Sequence, residues 1–238
     1  MDSHASIASE RLARWACQLS DDQVPDPVRR RRYACRTSRA RARSWAWGAA
    51  IPPVCLSSHA AADALGELMA RYRFSADDVV RIVCDVPDIV VANLRYGVPD
   101  TPEQARFSMP FAMAATLQRP DWGLAAMAPH RLAQDGLRGL MRRVDMVTGP
   151  HWNDADVRRR APEGAQVRVA LRDGRVLQAS KDKAVGNPRE PLGESRIARK
   201  FLDCAMPAVG AGRAERLLET LHGLDSALAI QTLFDGLA

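Results

Sequence analysis

The chain has 238 residues, 47% of them hydrophobic, and a formal net charge of +6. That much apolar material supports a folded core and excludes global disorder. No apolar run approaches the ~18 residues of a membrane span, and "MDSHASIASERLARWA" has early acids and no apolar stretch of the signal-peptide kind. A soluble, cytoplasmic protein with no membrane partner is expected.

The basicity is local. Arg29–Arg43 holds eight arginines and no acid, so it carries +8 and the rest of the chain sums to −2. Guanidinium groups in such a run could bind phosphates, with Tyr33, Trp45 and Trp47 available to stack on bases. A basic face spread over a fold is the stronger sign of a nucleic-acid protein, and this run is confined, so nucleic acid is not an expected partner. The five cysteines (Cys17, Cys35, Cys55, Cys84 and Cys204) are scattered and form no CxxC pair. They indicate neither a zinc site nor a disulfide framework.

In chain order, Ile7–Leu19 has a helical rhythm of apolar residues. Pro27 suits the start of a second helix, but the arginine run takes over before an apolar stripe develops. From Ser57 the signals agree with one another. Ser57 or Ser58 can cap a helix running to Tyr72, with Ala61, Ala64, Leu65 and Leu68 on one face. "SADD" caps a short turn, and Val79–Val86, rich in β-branched residues, reads as a strand broken by Pro87 and Asp88. "IVVANL" reads as a second extended piece. Thr101–Leu117 opens with a cap, a proline at the first helical position and Glu103, and Pro110 should kink or divide it. Leu132–Leu140 is a further helix. Two alternating strands, Gln166–Leu171 and Arg175–Ala179, meet at Asp173-Gly174, a hairpin turn pair. Helices over Glu194–Cys204, Gly212–Leu221 and Ser226–Leu237 close the chain. The class is α+β: a small, mostly antiparallel sheet packed with helices, plus an N-terminal helical remnant.

Several chemistries lack their motifs. There is no GxGxxG, no GxxxxGK[ST], no GxSxG and no HExxH, and His130 and His151 stand far apart in loop-like context. Cys55 and His59 are the pair most suited to chemistry. They lie four residues apart at a loop-to-helix junction, where the helix N-terminus favours thiolates and bound anions. The plainer alternative is a structural role for both.

"PPVCLSSHAAADAL", "DDVVRIVCDVP", "TPEQARFSMPFAMAATL", "VRVALRDGRVLQAS" and "GNPREPLGESRIARKF" occur in an order and spacing that resemble the MmgE/PrpD family of 2-methylcitrate dehydratases, cis-aconitate decarboxylases and iminodisuccinate epimerases. The likeness runs from about Pro53 to the C-terminus, and "ASERLARWACQLSDDQVPDPV" resembles the family's opening helix. The resemblance implies lyase or isomerase chemistry on a di- or tricarboxylic acid, without metal or organic cofactor, in a homo-oligomer. It puts Cys55 at the Cys/His position of a K-x-[YF]-P-x-[CH] loop, with His59 leading the helix behind it. Ala50 stands where the family carries Lys, and Pro52 where it carries Tyr or Phe.

Family members also carry an all-helical domain with an H-x-x-D-[FY]-D-D type segment, for which this sequence has no counterpart. Residues 1–28 therefore read as a remnant of that domain, 29–52 as an arginine-rich linker or deletion scar, and 53–238 as the α+β domain. Catalysis should be weak or absent, with Cys55 and His59 as the surviving site. The alternative is a non-catalytic domain that self-associates or pairs with a full-length relative, through the apolar surface that loss of a packed domain exposes.

Overall fold

The computed structural model describes residues 53–120, 122–187 and 190–222. The predicted helix Ile7–Leu19, the arginine run, the proposed scar and the predicted helix Ser226–Leu237 lie outside the described residues.

The first α-helix, α1, spans His59–Tyr72 and follows a single 3-10 turn at Leu56–Ser58. Its buried residues, among them Ala61, Ala64, Leu65 and Leu68, recur at helical spacing as the sequence pattern requires. Arg73, at φ 54°, ends it in the left-handed conformation. The expected serine cap is absent. Ser58 occupies the N-cap position, but its hydroxyl donates backwards to the Cys55 carbonyl at 2.9 Å. Ser75 then binds Asp78 through both its backbone N–H and its hydroxyl, tying the turn before strand β1, Val79–Asp85.

β1 is central in a four-stranded sheet of order β2-β1-β3-β4, with β2 at Val144–Val147, β3 at Ala165–Leu171 and β4 at Val176–Lys181. β1 runs antiparallel to β3, and β3 to β4; only the β1–β2 pair is parallel. β3 alternates cleanly, with Ala165, Val167, Val169 and Leu171 buried. β1 breaks its alternation at a bulge between Val79 and Arg81. One extra residue there turns Val79, Ile82 and Cys84 to the same face and leaves Val80 50% exposed. Gly174, at φ 86°, makes the β3–β4 turn as the Asp-Gly pair predicts.

Pro110 divides the Thr101–Leu117 segment into α3, Pro102–Ala105, and α4, Met109–Gln118. Ser108 caps α4, accepting the Phe111 N–H at 3.1 Å while donating to the Gly97 carbonyl at 2.6 Å. α4 is buried nearly all round and packs against α1 and β2, while α1 covers β3 and β4. The core therefore lies between these two helices and one face of the sheet, with Leu65, Phe111, Ile82 and Val167 inside it.

Two further sequence expectations are corrected, and one strand is new. "IVVANL" is helical, not extended: α2 spans Asp88–Asn93, with Pro87 at the N-cap and Asp88 in the first turn. The Pro87 carbonyl accepts from both Val90 and Val91. Start signals of this kind outweigh the β-branched composition. Leu132–Leu140 is two helices, α5 at Pro129–Leu132 and α6 at Asp135–Met141. β2, unforeseen in the sequence, is a four-residue strand containing an acid. It is fixed by pairing with β1 and by Asp85, which accepts the Gly149 N–H at 2.7 Å and the Trp152 indole N–H at 2.9 Å. A Cβ on Gly149 would lie 2.5 Å from the Asp85 carboxylate, so that approach requires glycine.

A short helix, α7 (Ala155–Arg160), precedes β3, and helix α8, Glu194–Val209, contains Pro207. Gly210, at φ 82°, separates α8 from α9, Ala211–His222. Residues 205–222 belong to a second compact unit, in which Ala214 and Leu217 are buried.

Candidate functional site

The segment Pro53–His59 is tied down at each step. The Cys55 N–H donates to the Arg106 carbonyl at 2.8 Å, and the Cys55 carbonyl accepts from the Ser58 N–H at 3.1 Å as well as from the Ser58 hydroxyl. Cys55 thus stands on a fixed backbone just before α1, with its side chain half-buried. Its thiol donates to the Ser57 hydroxyl at 3.5 Å. Ser57 is buried and donates to the Glu163 carboxylate at 2.6 Å, and it accepts the Asn93 amide N–H at 3.0 Å. One hydroxyl therefore joins the Cys55 turn, the end of α2 and the loop before β3.

His59 is the first residue of α1 and only 2% exposed. Its Nε2 lies 3.2 Å from the Val54 carbonyl. A carbonyl can only accept, so Nε2 carries the proton and Nδ1 keeps a lone pair. Burial lowers its pKa to about 4; the Val54 bond works against that shift, and the charge of Lys200 adds to it. At neutral pH His59 is a neutral imidazole, unsuited to serve as a cation. Cys55 and His59 share one turn, but their side chains take different partners.

One turn further along α1, Asp63 accepts the Val185 N–H at 2.7 Å. Burial raises its pKa, and the charge of Glu190 adds to the rise, while the Val185 N–H, Arg196 and Lys181 oppose it. Lys181 forms an ion pair with Glu67 at 3.2 Å, one turn beyond Asp63. Burial of Lys181 favours the neutral amine, but Glu67, Glu190 and Asp63 outweigh that and hold the ammonium. His59, Asp63 and Glu67 thus form a stripe at four-residue spacing. Arg196 and Lys200 of α8, also four apart, act on Asp63 and His59 respectively.

An open cavity of about 300 Å³ is lined by Pro53, Gly123, Arg196, Arg199, Lys200 and Asp203, among others; neither Cys55 nor His59 is in its lining. Three cations against one carboxylate make its charge positive. Pro53 places it at the head of the Cys55–His59 segment. Among the described residues no group of three or more His, Cys, Asp or Glu is arranged to hold a metal ion, and no described helix is long and apolar enough to cross a membrane.

The profile of the MmgE/PrpD C-terminal domain matches residues 53–226. The chain belongs to the MmgE/PrpD family. No curated protein matches it. The matched span begins at Pro53 and takes in the whole α+β fold, the Cys55–His59 turn and the cationic segment of α8. Pattern reading missed Ser57, Asn93 and Glu163, which come from three separate elements and carry no spacing signal. Arg196, Arg199 and Lys200 were within reach. Their i, i+3, i+4 spacing in "ESRIARKF", inside one of the MmgE/PrpD-like segments, puts three cations on one helical face.

Proposed function

We propose that this MmgE/PrpD domain binds a di- or tricarboxylic acid, and that its inherited chemistry is cofactor-independent lyase or isomerase chemistry on an acid such as 2-methylcitrate, weak or absent in this chain. The cationic cavity at the head of the Cys55–His59 segment carries the reading. Removing a proton next to a carboxylate needs a positioned base and cations to offset the charge that develops. Arg196, Arg199 and Lys200 suit the carboxylates, and His59 would act through its position at the start of α1. Cys55 would hydrogen-bond the substrate or relay a proton. On this reading residues 53–238 form the working domain, and residues 1–28 and 29–52 are a helical remnant and an arginine-rich linker or scar.

The test is loss of water from 2-methylcitrate followed by proton NMR, with the parent chain beside Cys55→Ala and His59→Ala. Any turnover should fall by about 10²-fold or more in each variant. Turnover retained by both contradicts the assignment of the site.

A second reading, a non-catalytic domain that associates with another copy or with a full-length relative, is favoured by one observation. Leu56, Tyr96 and Phe107 are large apolar residues left exposed around the Cys55 turn. They are neighbours through the Cys55–Arg106 and Tyr96–Phe107 backbone hydrogen bonds. Exposed apolar residues grouped in this way mark interaction surfaces. Under this reading the mass in solution exceeds that of one chain, and Leu56→Asp with Phe107→Asp returns it to the monomer value. A monomer in the parent contradicts self-association.

A further inference from the structure

Ser57 has one proton to give and two lone pairs to fill. Its three partners determine how all of them are used. Glu163 as a carboxylate can only accept, so the 2.6 Å contact takes the single Ser57 O–H. The Asn93 amide at 3.0 Å and the Cys55 thiol at 3.5 Å must then both donate to Ser57. Ser57 is 1% exposed, so no solvent water competes for it. The thiol proton of Cys55 is therefore directed inward at Ser57, and the sulfur lone pairs face away from it.

We infer that Glu163, acting through Ser57, is a positioning residue that holds the Cys55 thiol proton inward and presents the sulfur lone pairs outward. The inference rests on the reading of Cys55 as a site residue. Glu163 takes the single Ser57 O–H, which is then not available to donate to the Cys55 sulfur. Of the other ionisable neighbours, His59 is turned to the Val54 carbonyl and is neutral at pH 7, and Arg106 meets Cys55 through its backbone carbonyl. The arrangement suits an acidic substrate. A thiolate beside a polycarboxylate would repel it, whereas a neutral thiol costs no such repulsion.

Glu163→Gln reverses the direction of the network. The glutamine amide can donate to Ser57, which frees the Ser57 O–H to turn toward sulfur and stabilise a thiolate. The experiment is iodoacetamide labelling of the full chain at pH 7, with modification read at Cys55 by peptide mass spectrometry. Cys84, fully buried, serves as the internal control of folding. Glu163→Gln should label Cys55 about tenfold faster than the parent while Cys84 stays protected. Glu163→Asp, which keeps the charge, should label at close to the parent rate. Where glutamine opens Cys84, Glu163→Ala decides the question, because it also frees the Ser57 O–H and predicts the same acceleration. Unchanged or slower labelling of Cys55 with Cys84 protected overturns the inference. The assay uses no substrate, so its result stands apart from whether the cavity binds carboxylates.

Discussion

The residue with the clearest energetic signature is His59. Its folded pKa of about 4 lies below the ordinary value of 6.5, so the unfolded chain binds its proton first as pH falls. The stabilisation from keeping it neutral is complete above about pH 6.5. It declines through the window from 6.5 to about 4 and amounts to roughly 3 kcal/mol across it. Asp63 acts in the opposite direction: burial raises its pKa, and the cost of its charge is relieved as pH falls through that raised value. Asp78 and Asp154 have lowered pKa values, Asp78 through hydrogen bonds from Ser75 and Asp154 through the N–H groups of Val157 and Asp156. They lose their contribution only at still lower pH. A difference measurement isolates His59 from these. Urea unfolding of the parent and of His59→Gln should show a parent stability that falls more steeply between pH 7 and 4, with the excess slope absent in the variant. Parallel pH profiles would mean that His59 is solvated or charged in the fold. The sequence revealed that His59 stands at a helix start, where anion binding is plausible. It could not reveal the depth of burial that makes the residue neutral, because burial depends on packing from distant segments, to which the charge of Lys200 adds.

At the scale of elements, local chemistry was legible wherever a start or turn signal was strong. The Asp-Gly hairpin, the division of a helix at Pro110 and the α1 stripe all follow from residues within a few positions of one another. The misreadings have a common cause, a β-branched or short segment whose state is decided by its neighbours. "IVVANL" is helical because Pro87 and Asp88 initiate a helix, and β2 exists because β1 offers an open edge and Asp85 anchors the turn after it. Ser108 shows how much one cap can hold. It accepts from Phe111 and donates to Gly97 while buried, so it fixes the start of α4 and the loop ahead of α3 together. Ser108→Ala should cost about 2 kcal/mol, from the lost cap and from two groups left without partners. The check is the shift of the urea midpoint at unchanged slope. A shift under about 0.5 kcal/mol would mean that water replaces both bonds.

For the whole molecule, the ordered series of segments from Pro53 onward was enough to place the family, and the matched span bears that out. The mostly antiparallel α+β sheet was legible for the same reason. What the sequence concealed is how the parts converge: Ser57 with Asn93 and Glu163, and α8 with the head of α1. Ser57 and Glu163 stand 106 residues apart, Lys200 acts on His59 from farther still along the chain, and no periodicity encodes either meeting. The central claim is that the positive cavity reached by Pro53, at the head of the Cys55–His59 segment, receives a polycarboxylate. The most direct test is isothermal titration of the full chain with citrate at low and moderate salt, set beside Arg199→Ala combined with Lys200→Ala. The account predicts saturable binding that weakens with salt and loses about tenfold or more in affinity in the double variant. No heat of binding at millimolar citrate, or an affinity unchanged by the two substitutions, would contradict it.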